Sequence, residues 1–354
     1  MKTNYRTNVR LGERGELLMM SVRYLILFTS IAVFLISPVG AASRGISLEP
    51  ITKKPNLDLS IGTYRALIIG NNKYKDPKNR WPSLKTAVND ATAVAKILRD
   101  NYGFADVKLL ENATRRQVLQ AINVLSSNVG PNDSVLLYYA GHGYLDSETE
   151  RGYWVPTDAV GSDNSTFLRN STIRDELNVI ASRARHTLLI SDSCFSGSLL
   201  SKSSRSVSPG VGDDKYYKKV ASKKSVQIIS AGGLEFVDDD YRSSGHSPFT
   251  YFLLNELKYN DRTYLTAAEL SRSVETAVSN NVDQKPQSGV LQGAGDELGE
   301  FIFIKVKVVV DAQGIPKDKI KVDVSVVQDK ESGAKKPAPR KPKKRPIILP
   351  VPTL

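Results

Sequence analysis

The chain has 354 residues, 40% of them hydrophobic, which is enough to bury a substantial core and excludes a disordered protein. Of its formal net charge of +12, residues 1–23 carry +3 and residues 331–354 carry +6, so the body between them is close to neutral and gives no electrostatic reason to bind nucleic acid. A single cysteine, Cys194, excludes an internal disulfide.

Tyr24 to Ser43 reads YLILFTSIAVFLISPVGAAS without a charge, after a basic stretch and before small residues suited to cleavage after Ala41 or Ala42. Its clearly apolar part, Tyr24 to Ile36, has the length of a signal peptide and is short for a membrane span. Residues 1–42 therefore read as a cleaved signal peptide or an uncleaved membrane anchor, and either one exports the body, to a periplasmic or extracellular location. Residues 43–62, with two prolines in EPITKKPNLD, read as a linker ahead of a folded domain over residues 63–304.

Within that domain YRALIIG, Tyr64 to Gly70, is a short apolar run ended by GNNKY, the pattern of a buried strand and turn. Leu84, Val88, Ala91, Ala95, Leu98 and Tyr102 recur at helical spacing, and Gly103 supplies the stop. VKLL reads as a second strand, and NATRRQVLQAINVLSSNVG as a second helix with an Asn or Thr cap and Gly130 at its end. SVLLYYA is a third strand running into GHG, HTLLISD a fourth running into SCFSG, SVQIISA a fifth, and FIFIKV a sixth. PFTYFLLNELK and TAAELSRSVETAV are helices between the last two. Residues 198–224 show little periodicity and read as a long polar insertion, the usual setting for function or nicking. Residues 305–328 read as a terminal hairpin, and residues 329–354 as a basic, Pro-rich disordered tail with the charge to touch an acidic membrane or envelope polymer.

Strands alternating with helices predict an α/β fold whose mainly parallel sheet is covered on both faces. In such sheets sites form at the carboxyl ends of the strands, where His142 and Cys194 both fall, 52 residues apart. A cysteine nucleophile needs a base to form thiolate and a cation beside it, and a histidine serves as both. The glycines flanking His142 allow a substrate close to the backbone and leave N–H groups to face a developing oxyanion. Each residue alone has a plainer reading, the cysteine as a small buried apolar group and the histidine as a hydrogen-bonded structural residue. His142, His186, Cys194 and His246 lack paired metal spacing, so no metal site is read, and His186 and His246 read as structural.

YYAGHG and DSCFSG resemble the His and Cys boxes of the caspase-fold cysteine peptidases in their metacaspase-like and bacterial forms, and the likeness runs from about Tyr64 to Ile304 through RALIIGNNKY, LKTAVNDATAVAKIL, VPTDA and GHSPFTYFLLNELK. Caspases place the histidine about 50 residues before a Gln-Ala-Cys motif. Asp192-Ser193-Cys194 is closer to metacaspases. The resemblance implies a three-layer αβα fold with a six-stranded sheet. It implies a cysteine endopeptidase with Cys194 as nucleophile, His142 as base, and the amides of Gly143 and Cys194 as oxyanion hole. It further implies that Asp192 and Asp90 bind the Arg or Lys at which a peptide or protein substrate is cut. Ala140 departs from the serine that metacaspases commonly carry before Gly-His-Gly. The chemistry requires no cofactor; calcium activation occurs in some relatives and is left open, because VDDDY, Val237 to Tyr241, lacks the spacing of a calcium loop. The alternative is a catalytically silent caspase-fold binding module held at the envelope. Oligomeric state is not readable.

Overall fold

Valine, isoleucine, leucine and tyrosine runs of six or seven residues can satisfy their backbones only by pairing with one another, and here they do so in one sheet. A computed structural model describes residues 57–76, 80–193, 199–200, 213–232, 239–293 and 295–306. In chain order these form β1 (Tyr64–Gly70), α1 (Ala87–Tyr102), β2 (Asp106–Glu111), α2 (Arg115–Ser127), β3 (Ser134–Ala140), β4 (Gly143–Asp146), β5 (Arg151–Trp154), β6 (Leu168–Arg169), α3 (Asn170–Arg183), β7 (His186–Asp192), α4 (Asp214–Ala221), β8 (Ser225–Ser230), α5 (Pro248–Tyr259), β9 (Tyr264–Thr266), α6 (Ala267–Ser279), β10 (Gln287–Val290) and β11 (Ile302–Ile304). The main sheet has the order β10-β8-β7-β3-β1-β2 and is parallel except for β10.

The period-2 alternation of the central strands sorts their side chains onto two cores. Ala66, Ile68, Leu136, Tyr138, Leu188 and Ile190 face a core shared with α1, α4, α5 and α6. Leu67, Ile69, Val135, Leu137, Tyr139 and Leu189 face a second core shared with α2 and α3. The result is the α/β three-layer arrangement expected from the sequence. Fully buried leucines and isoleucines at these positions each contribute about 1.5–3 kcal/mol. The helices are framed by local chemistry: Thr114 and Gln117 form a capping box on α2, Thr266 and Glu269 another on α6, and Gly103 closes α1 in the left-handed conformation at φ 64°.

Four readings of the sequence change. The sixth strand of the main sheet is β10, not FIFIKV; β11 instead pairs antiparallel with β9 in a separate two-stranded sheet. β10 reads QSGV, without the apolar run that marks a central strand, because it is an edge. The second helix ends at Asn128 rather than at Gly130. Residues 198–224 are not wholly irregular, since α4 occupies Asp214–Ala221 with Asp213 capping it. Finally, a three-stranded sheet, β4-β5-β6, and helix α3 stand in the chain between β3 and β7, a stretch to which the sequence analysis assigns no element. The 305–328 hairpin and the tail lie outside the described residues apart from the first two positions of the hairpin.

Candidate active site

Parallel strands in register deliver whatever follows them to one edge of the sheet. β3 and β7 are adjacent, and their last pair is Ala140 with Asp192. His142 and Cys194 each follow that pair by two residues, on strands spaced about 4.8 Å apart. Cys194 itself lies outside the described residues, which stop at Ser193 and resume at Leu199.

The backbone of His142 is clamped at both polar groups. Its N–H donates to the Tyr74 hydroxyl at 2.9 Å, and its carbonyl accepts from the Tyr139 hydroxyl at 2.9 Å and from the Val155 N–H at 3.0 Å. The same two tyrosines explain the preceding glycine: a Cβ on Gly141 would sit 2.8 Å from the Tyr139 oxygen and 3.0 Å from that of Tyr74. The imidazole packs against the rings of Tyr74 and Trp81, with centroids 4.8 and 5.7 Å away. Its Nε2 lies 2.8 Å from the Pro82 carbonyl. A carbonyl only accepts, so Nε2 carries the hydrogen and the basic lone pair of the neutral ring is on Nδ1. Burial holds the His142 pKa below the ordinary histidine value, against the Pro82 carbonyl and the charge of Asp239.

Gly143 opens β4, the outer strand of the three-stranded sheet. Because the Val155 N–H donates to the His142 carbonyl, Gly143 and Trp154 form a non-hydrogen-bonded pair of the ladder. The Gly143 N–H therefore points away from β5, off the open edge.

Asp192 ends β7 on the α1 and α5 face. Its Oδ2 accepts from the hydroxyls of Ser247 at 2.5 Å and Thr250 at 2.6 Å. Thr250 in turn accepts from the Tyr138 hydroxyl at 2.6 Å, so a chain of hydroxyls ends on the carboxylate. Asp90, 1% exposed on α1, meets the His246 Nδ1 at 2.6 Å and the Ser247 N–H at 3.3 Å. Asp239 accepts from the Lys85 N–H and the Thr86 hydroxyl. Burial first, and then the charges of Asp90 and Asp239, push the Asp192 carboxyl up to about 7 against the two hydroxyls. Burial also raises Asp90, with His246 opposing it. The charge of Asp239 acts on both Asp192 and His142, so the acidic pocket and the imidazole share one field.

The structure thus draws Asp90 and Asp192 together and seats His142 beside them. It adds residues that sequence reading did not single out for the site. Ser247 precedes Pro248, the signature of a helix cap, and its hydroxyl both caps α5 and serves Asp192. Asp239 belongs to the VDDDY cluster, Val237 to Tyr241, whose spacing does not make a calcium loop. His246, read as structural, sits on Asp90, whereas His186 is buried between the Ser225 hydroxyl and the Ala221 carbonyl and is held neutral by a pKa lowered to about 4. Tyr74 and the Pro82 carbonyl carried no local signal. Among the described residues no group of three or more His, Cys, Asp or Glu is arranged to hold a metal ion, and no helix is long and apolar enough to cross a membrane. Tyr24 to Ser43 lies outside those residues.

A family profile described as Caspase domain matches residues 63–292. Metacaspase-1B of Aspergillus fumigatus is 28% identical over 191 residues, covering 49% of this chain and 45% of that one. Metacaspase-1A of Aspergillus oryzae is 25% identical over 185 residues, covering 48% and 43%, and metacaspase-1 of Eremothecium gossypii is 29% identical over 154 residues, covering 39% and 33%. The chain spans less than half the length of each of these relatives. The crystal structure of a protein from Geobacter sulfurreducens overlaps 68% of this chain and all of that one at 22% identity, with a TM-score of 0.43.

Proposed function

We propose a function on one premise, that this chain belongs to the caspase-domain family: it is an exported cysteine endopeptidase that cleaves polypeptides after Arg or Lys. The observation that carries the proposal is the register of β3 and β7, whose last pair, Ala140 with Asp192, sets the His box and the Cys box at equal height on adjacent strands.

In this reading the Cys194 thiol gives its proton to Nδ1 of His142, the nitrogen left basic by the Nε2–H bond to Pro82. The thiolate attacks the peptide carbonyl, and the N–H groups of Gly143 and Cys194 face the oxyanion. His142 returns the proton to the leaving amine. Water then attacks the thioester, with His142 taking a proton from the water and passing it to the departing sulfur. The basic residue of the substrate enters among Asp90, Asp192 and Asp239. Its cation lowers the cost of ionising Asp192, so binding and deprotonation of that carboxyl reinforce each other. Export rests on the uncharged run Tyr24 to Ser43 behind its basic segment.

The test is turnover of Arg and Lys peptides by the wild-type protein and by Cys194→Ala and His142→Ala. Loss of acid–base catalysis alone costs about 10²–10⁴-fold, with the melting temperature little changed. Retained turnover in Cys194→Ala overturns the mechanism, and a cleavage profile dominated by acidic residues overturns the pocket. Cell fractionation reads the export.

A further inference from the structure

The second core, on the opposite face of the sheet from Asp90 and Asp192, ends at the same carboxyl edge in a cleft of opposite charge. The cleft has a volume of about 290 Å³ and is lined by Glu150, Arg151, Arg169, Asn170, Arg174 and Leu199 among others. Three arginines and one glutamate thus line it. Arg174 is shared with Asp175 at 3.2 Å and Gln292 at 3.3 Å. Arg169 lies 6.0 Å from the Tyr153 ring, and no carboxylate of the described residues pairs with it. Arg151 stands opposite Asp146 in the β4–β5 ladder, and its charge acts on that carboxylate.

Three features tie this cleft to the site. The ladder pairs Gly143 with Trp154 and Asp146 with Arg151, so Arg151 is three pairs along the hairpin that His142 and Gly143 begin, about 10 Å at ~3.4 Å per residue. Leu199, on the opposite wall, is five residues beyond Cys194 in the chain. It is pinned there, since the Gln292 N–H donates to the Leu199 carbonyl at 3.2 Å, and Gln292 is itself held by Arg174. His142 stands between the acidic pocket and this hairpin. In the peptidase reading, a peptide with its basic residue among the aspartates and its leaving amine at His142 has this hairpin as its path onward, toward Arg151.

We propose that the Arg151, Arg169 and Arg174 cleft receives an acidic side chain of the substrate, about three residues to the leaving-group side of the cleaved bond. The inference rests on the peptidase reading and adds a second, oppositely charged determinant to it. A guanidinium fork matches a carboxylate in two parallel hydrogen bonds, and the exposed position lets an extended chain lay the side chain in without burying an uncompensated charge.

The experiment uses quenched fluorescent peptides with Arg at the cleaved position and either Glu or Gln at each of the first four positions after it. The ratio of kcat/KM for Glu over Gln should reach about tenfold at the third position, the value of one charge-assisted hydrogen bond. The double variant Arg151→Gln/Arg169→Gln should bring that ratio toward one, with its melting temperature confirming a folded protein. A ratio near one at all four positions in the wild type, or a ratio the double variant leaves unchanged, overturns the proposal. A protein that turns over no peptide defeats the peptidase reading alone. The cleft is then read by fluorescence anisotropy of labelled Gly-Gly-Glu-Gly against Gly-Gly-Gln-Gly. A preference for the Glu peptide that the double variant loses supports the cleft, and equal binding overturns it.

Discussion

The two charged regions at the carboxyl edge of the sheet use like charges in opposite ways. On the α1 and α5 face, Asp90 is buried and Asp192 half-buried with Asp239 beside them, and burial first, then the charges of Asp90 and Asp239, push the Asp192 carboxyl up to about 7. On the α3 face, Arg151 and Arg169 are exposed, so water and salt screen them and their repulsion costs little. In a largely buried pocket desolvation and ionisation offset much of the attraction, so the net gain from a cation is modest, but the pocket strongly penalises an occupant that leaves a carboxylate unpaired and therefore discriminates sharply. An exposed cleft adjusts affinity by smaller amounts that fade as salt rises. The buried pocket is therefore the candidate for setting the residue at the cleaved bond, and the cleft for grading substrates that already satisfy it.

Asp192→Asn is the strongest way to break this comparison. It removes the charge and keeps an oxygen for Ser247 and Thr250. Turnover of Arg peptides should fall by one to a few kcal/mol of transition-state binding, roughly 10- to 100-fold, as expected for a lost charge-assisted contact. The Glu-over-Gln ratio at the third leaving-side position should not move. A collapse of both would mean that the two regions act as one.

The pH dependence gives the next largest effect. With its pKa near 7 against 3.8 in an unfolded chain, folded Asp192 binds a proton that the unfolded chain has released. Between those values rising pH therefore costs stability, the reverse of an ion-paired aspartate. Melting of Asp192→Asn should exceed that of wild type at pH 8, by a few degrees per kcal/mol in a domain of this size, and the gap should close toward pH 5. In kinetics, the acid limb of kcat/KM on Arg peptides should fall near pH 7, where Asp192 ionises. The limb on kcat should fall lower, because the bound cation favours the carboxylate. A stability gap that widens as pH falls would show that another group titrates in that range.

The framework of this site was legible because it is written in local patterns. Apolar runs marked β1, β3, β7 and β8, and Gly103 and Thr114 marked helix ends, so the strand-end positions of His142 and the Cys box followed from period and punctuation alone. What stayed hidden depends on contacts far apart in the chain. Thr250 reaches Asp192 across 58 residues, Pro82 reaches His142 across 60, and Asp239 reaches Thr86 across 153. No window of sequence reports such pairs. Short or weakly apolar elements failed for a different reason: β4, β5 and β6 have four, four and two residues, too few for alternation to register. α3 was detectable, since Ile173, Leu177 and Ile180 keep helical spacing and all are buried.

The smallest effect tests how finely the acidic pocket is tuned. Thr250 gives its hydrogen to Asp192 and takes one from Tyr138, and all three groups are linked at 2.6 Å per step. Thr250→Val alone would strand the buried Tyr138 hydroxyl, which costs about 1–3 kcal/mol and would blur the reading. The paired change Tyr138→Phe/Thr250→Val removes both hydroxyls at nearly constant volume. Ser247 remains on Asp192 and still caps α5. The charged carboxylate then has one donor fewer, so its proton is held more tightly and the pKa rises further. The pH at which Arg peptides are cleaved at half the maximal kcat/KM should move upward relative to wild type. Turnover should fall a few-fold at pH 6.5 and scarcely at pH 9, where the carboxyl is ionised in both proteins. The Glu-over-Gln ratio in the basic cleft should stay at its wild-type value throughout, because none of these hydroxyls lies on that face. A midpoint that stays in place would assign the acid limb to another group, and a midpoint that moves downward would reverse the sign of the shift that the hydroxyls impose on Asp192.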